Sequence, residues 1–163
     1  MFVRTAGERD LEAIGALLVE TWHAAYDDIY GAAKVTEMAG EWHSVPRLRE
    51  RLTRPNSEFL VADDGKAIAG VAFAEAEGEA VALRQLCVRP AMQGRGVGGL
   101  LLDEIEGCFP EARKVTLEVE PANERAVAFC LAQGFGPAGT ASGRGRAGLA
   151  PSAVYERPIR WAQ

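Results

Sequence analysis

Residues 86–102 read LCVRPAMQGRGVGGLLL. An apolar run from Leu86 to Val88 passes through Arg89 and Pro90 into glycines at 94, 96, 98 and 99, and these lead into Leu100, Leu101 and Leu102. The order predicts a strand, a short loop and the opening of a helix. Glycine carries no Cβ, so the backbone here can lie close to a ligand, and the N–H groups of the loop and helix start can converge on an anion. A pyrophosphate-bearing cofactor is the ligand implied.

The strand that feeds this loop has a break in its period. Val81 and Leu83 share one face, yet the next large apolar pair is Leu86 and Val88, a step of three where two is expected. One extra residue near Arg84 or Gln85 predicts a β-bulge. Downstream, Val97, Leu100, Leu101, Ile105 and Cys108 form a helical stripe, with Asp103, Glu104 and Glu106 mostly outward. Val115, Leu117 and Val119 then alternate with Thr116, Glu118 and Glu120, as a strand does, and a helix from about Asn123 to Gln133 ends at Gly134.

Upstream of the bulge, a short apolar start at Phe2 to Arg4 precedes Leu11, Ile14, Leu17, Leu18 and Trp22, which recur at helical spacing and reach Tyr26. Residues 27–46 show no clear period, and Pro46 to Thr53 predicts a second helical piece. Glu58 to Ala62, the turn residues Asp63 to Gly65, and Ala67 to Ala74 predict a hairpin. The chain turns again near Gly78 into Ala80 to Val88, which makes an antiparallel meander. At the other end Ser152 to Ile159 predicts a last strand, and the Gly-, Ala- and Arg-rich residues 136–151 before it predict a mobile loop.

At 163 residues the expectation is one domain, 1–163, large enough to bury roughly two thirds of its unfolded surface. Cys87, Cys108 and Cys130 lie far apart without a CxxC pair or a His cluster, which argues against a zinc site and a disulfide framework and for a reducing, cytoplasmic location. No signal-peptide pattern and no apolar run near ~20 residues is present, so a soluble protein without a membrane partner is expected. A formal charge of -5 disfavours nucleic acid as a partner.

Gln93, Gly96 and Gly98, in the spacing Gln-x-x-Gly-x-Gly after a bulged strand, resemble the coenzyme A motif of the GNAT superfamily of N-acetyltransferases. NERAVAFCLAQGF, residues 123–135, is similar to that family's helix that begins with Asn and ends in Gly-Phe, and TWHAAY, residues 21–26, adds a weaker likeness. The resemblance implies an α/β (α+β) fold: a mixed, mostly antiparallel central sheet of about six or seven strands, a parallel pair around the cofactor, and about four flanking helices. It implies acetyl-coenzyme A as cosubstrate, without a metal, and transfer of its acetyl group to a primary amine that attacks directly. A small amine, a polyamine, a protein N-terminus, an amino acid or an antibiotic amine all stay open as acceptor. A homodimer is a common default for such proteins.

Carried over residue by residue, the resemblance makes Leu86, Cys87 and Val88 the cradle of the pantetheine arm, and Gln93, Gly94, Arg95, Gly96, Val97, Gly98 and Gly99 the diphosphate loop. Asn123 contacts the cofactor arm and also caps its helix, and Phe129 either flanks the cofactor or packs in the core. Tyr26 and Tyr30 shape the acceptor pocket, with Trp22 in the core stripe. Glu118 is the candidate base, or else a solvated strand residue. Cys130 stands where the family usually has Tyr as the acid; it is either a shorter acid or a small core hydrophobe. His23 and His43 are too isolated to be metal ligands, and Arg144 and Arg146 are solvated by default. Two rivals remain. Gly94, Gly96 and Gly99 also satisfy GxGxxG, with Glu118 about 20 residues on, as in dinucleotide-binding folds; and the same fold without turnover would be an acyl-coenzyme A sensor.

Overall fold

The Asp64 carboxylate accepts from the amides of Lys66 and Ala67, each at 2.8 Å. That turn closes the hairpin between β2 (Ser57–Asp63) and β3 (Ile68–Glu77), and β4 (Ala80–Val88) continues the antiparallel meander. At the edge beside β2 lies β1 (Phe2–Thr5). In this computed structural model residues 1–141 and 152–159 are described. Helix α4 (Val97–Gly107) carries the chain from β4 into β5 (Lys114–Val119), which runs parallel to β4. After α5 (Glu124–Ala132), β6 (Gly136–Thr140) and β7 (Ala153–Pro158) pair antiparallel, and β7 also pairs with β5. The sheet order is β1-β2-β3-β4-β5-β7-β6.

Both faces of the sheet are covered. On one, Leu101, Leu102 and Ile105 of α4 and Cys130 of α5 pack with Val81, Leu83 and Val115. On the other, Leu11, Ile14 and Leu18 of α1 (Leu11–Tyr30) and Leu48 of α3 (Val45–Leu52) pack with Phe59, Val61, Val71 and Phe73. Helix α2 (Ala32–Trp42) attaches to α1 through Trp22, Val35 and Met38, with Tyr26, Tyr30 and Trp42 at the border.

The bulge falls where the period breaks. Phe73 pairs with Gln85 and Ala74 with Leu83, so Arg84 is the extra residue. Beyond it the two parallel strands part: pairing of β4 with β5 runs from Ala80–Lys114 to Leu83–Leu117.

Two elements were not expected from the sequence. Helix α2 occupies residues where no period was visible, because it buries only Val35, Met38 and Ala39 and so carries a stripe too thin to read. Residues Gly136 to Thr140, expected as the start of a mobile loop, instead form β6. Pro137 is tolerated because β6 is an edge strand, and the register shifts between Pro137 and Gly139. Residues 142–151 of that loop, with Arg144 and Arg146, lie outside the described residues. The dinucleotide alternative does not match this sheet, whose other described pairs are antiparallel.

Candidate active site

Leu86, Cys87 and Val88 lie past the bulge and pair with Ala72, Val71 and Gly70 of β3. On their other side the ladder to β5 has already ended. A strand edge past the end of its ladder can take an extended, amide-bearing ligand as a neighbouring strand. The loop that follows is tied to the strand: the Gln93 side-chain amide donates to the Val88 carbonyl at 3.1 Å.

The four glycines of the loop divide into two kinds. Gly94 and Gly96 adopt φ of +78° and +83°, with open space where a Cβ would point. Only glycine takes this backbone cheaply, and the space beyond it is free for a ligand. At Gly98 a Cβ would come 2.8 Å from the ring of Phe129, so this glycine serves the contact between α4 and α5. Gly99 likewise approaches the Gln133 side chain, at 3.4 Å from an added Cβ. The first bond of the α4 ladder runs from the Leu100 amide to the Gly96 carbonyl, 3.0 Å. The amides of Val97, Gly98 and Gly99 precede it, at the positive end of the helix dipole. With exposed Arg95 beside them, these groups suit a phosphate.

On the opposite side of the gap, α1 reaches the connection between β5 and α5. Asn123 caps α5 by accepting from the Ala126 amide at 3.2 Å, and its side-chain amide donates to the Tyr26 hydroxyl at 3.4 Å. The Tyr30 hydroxyl donates to Glu120 at 2.8 Å. Burial and that bond push the Tyr30 phenol up to about 12, so it stays a neutral donor near pH 7. Glu118, two residues back on the same strand face, is 43 % exposed and lies 3.9 Å from the Arg84 guanidinium. Arg84 also pairs with Glu75 and Glu77 at 3.0 and 2.8 Å, so the bulge residue gathers three carboxylates.

Cys130 is not part of this gathering. It is 2 % exposed, packed with α4 and the sheet, and burial pushes its thiol up to about 11. Phe129 packs on Gly98 as described. Trp22 is core, as read from its stripe. His23 Nδ1 lies 2.6 Å from Asp27, a local pair one helical turn apart.

A cavity of about 330 Å³ opens beside Arg84, with Trp42 and His43 at the end of α2, Arg51 of α3, Phe73 of β3 and Gln85 of β4 in its wall. Gln85, only 8 % exposed, accepts from the Arg51 guanidinium, which lies over the Phe73 ring at 5.2 Å. A larger groove of about 570 Å³ between α1 and α2 includes no residue of β4, β5 or the glycine loop. Glu120, Arg84, Gln85 and Arg51, which the structure places beside the candidate site, were not singled out by sequence reasoning. One signal was present: Arg47, Arg51 and Arg54 recur at spacings of four and three, as one face of a helix.

The sequence profile described as Acetyltransferase (GNAT) family matches residues 16–135. No curated protein matches the chain significantly in sequence. Among solved structures it is similar to a PaiA N-acetyltransferase from Thermoplasma acidophilum in complex with coenzyme A, at 20% identity over 97% of this chain and 98% of that one, TM-score 0.86. An acetyltransferase from Thermus thermophilus aligns at 20% identity over 97% and 96%, TM-score 0.74. An aminoglycoside 6'-N-acetyltransferase complexed with coenzyme A aligns at 16% identity over 97% of each chain, TM-score 0.66. At such identities the likeness is one of fold.

Proposed function

Because the chain belongs to the GNAT acetyltransferase family, we propose that it moves an acetyl group from acetyl-coenzyme A to a primary amine, with both substrates bound together. The observation that carries this is the continuous run of backbone from Leu86 to Val88, past the last β4–β5 pair, through the Gly94 and Gly96 turn, to the start of α4. A pantetheine arm offers amides to that edge as a neighbouring strand would. Its diphosphate suits the amides of the loop and of Val97 to Gly99. Acetyl-coenzyme A supplies an acyl group activated as a thioester.

The residues of the chain then manage protons and position. An alkyl amine with pKa near ~10 is mostly protonated at neutral pH, and Glu118 at the gap takes that proton. The nitrogen forms the new C–N bond, the C–S bond breaks, and the second nitrogen proton goes by way of water to the departing thiolate. We assign Cys130 to packing, because a fully buried thiol cannot reach solvent or substrate without opening the α4–α5 contact. Tyr26 and Tyr30 join the end of α1 to Asn123 and Glu120 and wall the acceptor side. The reading treats residues 1–163 as one unit, and the free cysteines suit a reducing cytoplasm.

The buried position of Cys130 favours one rival, an acyl-coenzyme A sensor without turnover. Thiol release from acetyl-coenzyme A across a panel of amines separates the two, with calorimetry for binding. Release with at least one amine is expected. Tight binding without release from any amine selects the sensor, and no binding at millimolar coenzyme A overturns both.

A further inference from the structure

Resting on the coenzyme A reading above, we propose that Gln133, the C-cap of α5, is a further cofactor-binding residue whose side-chain amide donates to the diphosphate beside the first turn of α4. A Cβ added to Gly99 would lie 3.4 Å from Gln133 Nε2 and 3.7 Å from its Oε1. Side chains on a helix tilt towards its N-terminus. The Gln133 amide, which borders the space Gly99 leaves open, therefore lies over the turn that carries the amides of Val97, Gly98 and Gly99. Those are amides without partners inside the helix. A carboxamide beside them adds N–H donors without the negative charge that would repel a phosphate.

The backbone of Gln133 is held in place. Its N–H donates to the Phe129 carbonyl at 2.9 Å, and its own carbonyl accepts from the Arg157 guanidinium at 2.5 Å. Arg157 also donates through two nitrogens to Glu106 of α4, at 2.9 and 3.3 Å, and lies over the Phe135 ring at 5.2 Å. Glu106 is only 6 % exposed, so a buried ion pair ties the end of α5 to the body of α4 by way of β7. Such a pair adds little net stability, because desolvation offsets its attraction; its effect here is to fix where α5 sits on α4. The Phe129 ring against Gly98 fixes the same contact one helical turn earlier. A side chain on a backbone held this way has only its own rotamers to order when it binds. Among the described residues none hydrogen-bonds the half-buried Gln133 side chain, so its donors are available to a ligand.

The test is calorimetry with coenzyme A and 3′-dephospho-coenzyme A on the unaltered protein, Gln133→Leu and Gln133→Glu, with thermal unfolding of each free protein. Gln133→Leu keeps the bulk and removes the donors, and should weaken coenzyme A by about tenfold. Gln133→Glu should weaken it further, because its carboxylate faces the diphosphate. Both losses should persist with the dephospho form, which retains the diphosphate. The thermal midpoint of free Gln133→Glu should hold or rise, since a carboxylate is favoured beside the open amides of a helix N-terminus. A residue that only packed α5 on α4 would lose stability and affinity together. Affinities within about twofold of the unaltered protein in both variants, or losses matched by a fallen midpoint in both, overturn the proposal and leave the cofactor reading standing. A loss seen with coenzyme A and absent with the dephospho form overturns the diphosphate assignment in favour of the 3′-phosphate. No uptake of coenzyme A by the unaltered protein removes the proposal and the reading together.

Discussion

The two sides of the gap between β4 and β5 are built by different means. On the proposed cofactor side the groups are main-chain: Leu86 to Val88 past the last β4–β5 pair, the turn at Gly94 and Gly96, and the first amides of α4. On the proposed acceptor side they are side chains, Tyr26, Tyr30, Arg84 and Glu118, from α1, β4 and β5. A ligand common to many enzymes is gripped by groups every residue possesses, so the constraint falls on glycine spacing and a bulge. A ligand peculiar to one enzyme is gripped by chemistry that single substitutions can change.

If the two sides are separable, damage to one should spare the other. The largest effect expected is from Glu118→Gln, which removes the proposed proton acceptor and should lower kcat by about a hundredfold or more. Coenzyme A affinity by calorimetry should change less than twofold. Unchanged kcat would take Glu118 out of the reaction, and weakened coenzyme A binding would show that the sides are coupled. The converse change is Gly96→Val. A β-branched residue at φ +83° costs roughly 1–2 kcal/mol and fills the space a phosphate would use. Coenzyme A should bind about tenfold or more weakly, while the KM of the amine at saturating coenzyme A stays within about twofold.

The same contrast decides what could be read in the sequence. The bulge was legible because strand period is strict, so the step from Leu83 to Leu86 located the extra residue to Arg84 or its neighbour. The loop was legible by its glycines, although glycine that frees φ and glycine that admits a neighbouring ring look alike as letters. Gly98 therefore joined the ligand contacts in the sequence reading, while the structure sets it against Phe129. The acceptor side was hardly legible. Tyr30 and Glu120 bond across 90 residues, and Arg51 and Gln85 across 34. No local pattern connects them, and α2, which brings Trp42 and His43 to the cavity, buries too few residues to announce itself.

Tyr30→Phe sharpens the comparison on a smaller scale. It deletes the donor to Glu120 and leaves that half-buried carboxylate short of a partner, a loss of about 1–2 kcal/mol in the contact between α1 and the β5–α5 connection. The KM of the amine should rise about three- to tenfold, with coenzyme A affinity unchanged. An equal loss on both substrates would mean that Tyr30 supports the whole gap rather than its acceptor wall.

The smallest effect belongs to Cys130, which faces neither side. Cys130→Ala should leave kcat within about twofold and cost about 1 kcal/mol of stability near pH 7. Its pH dependence is more telling than its size. Burial holds the folded thiol up at about 11, above its ordinary value of 9.0, so the unfolded chain releases this proton first as pH rises. The thiol's contribution to stability is therefore complete below about pH 9 and is lost on the way to about pH 11. Denaturant titrations of the two proteins across that window should show the unaltered protein losing stability faster than Cys130→Ala, so that their difference narrows. A difference that is flat with pH would mean the thiol ionises freely in the folded protein, and would return Cys130 to consideration as the proton donor for the leaving thiolate.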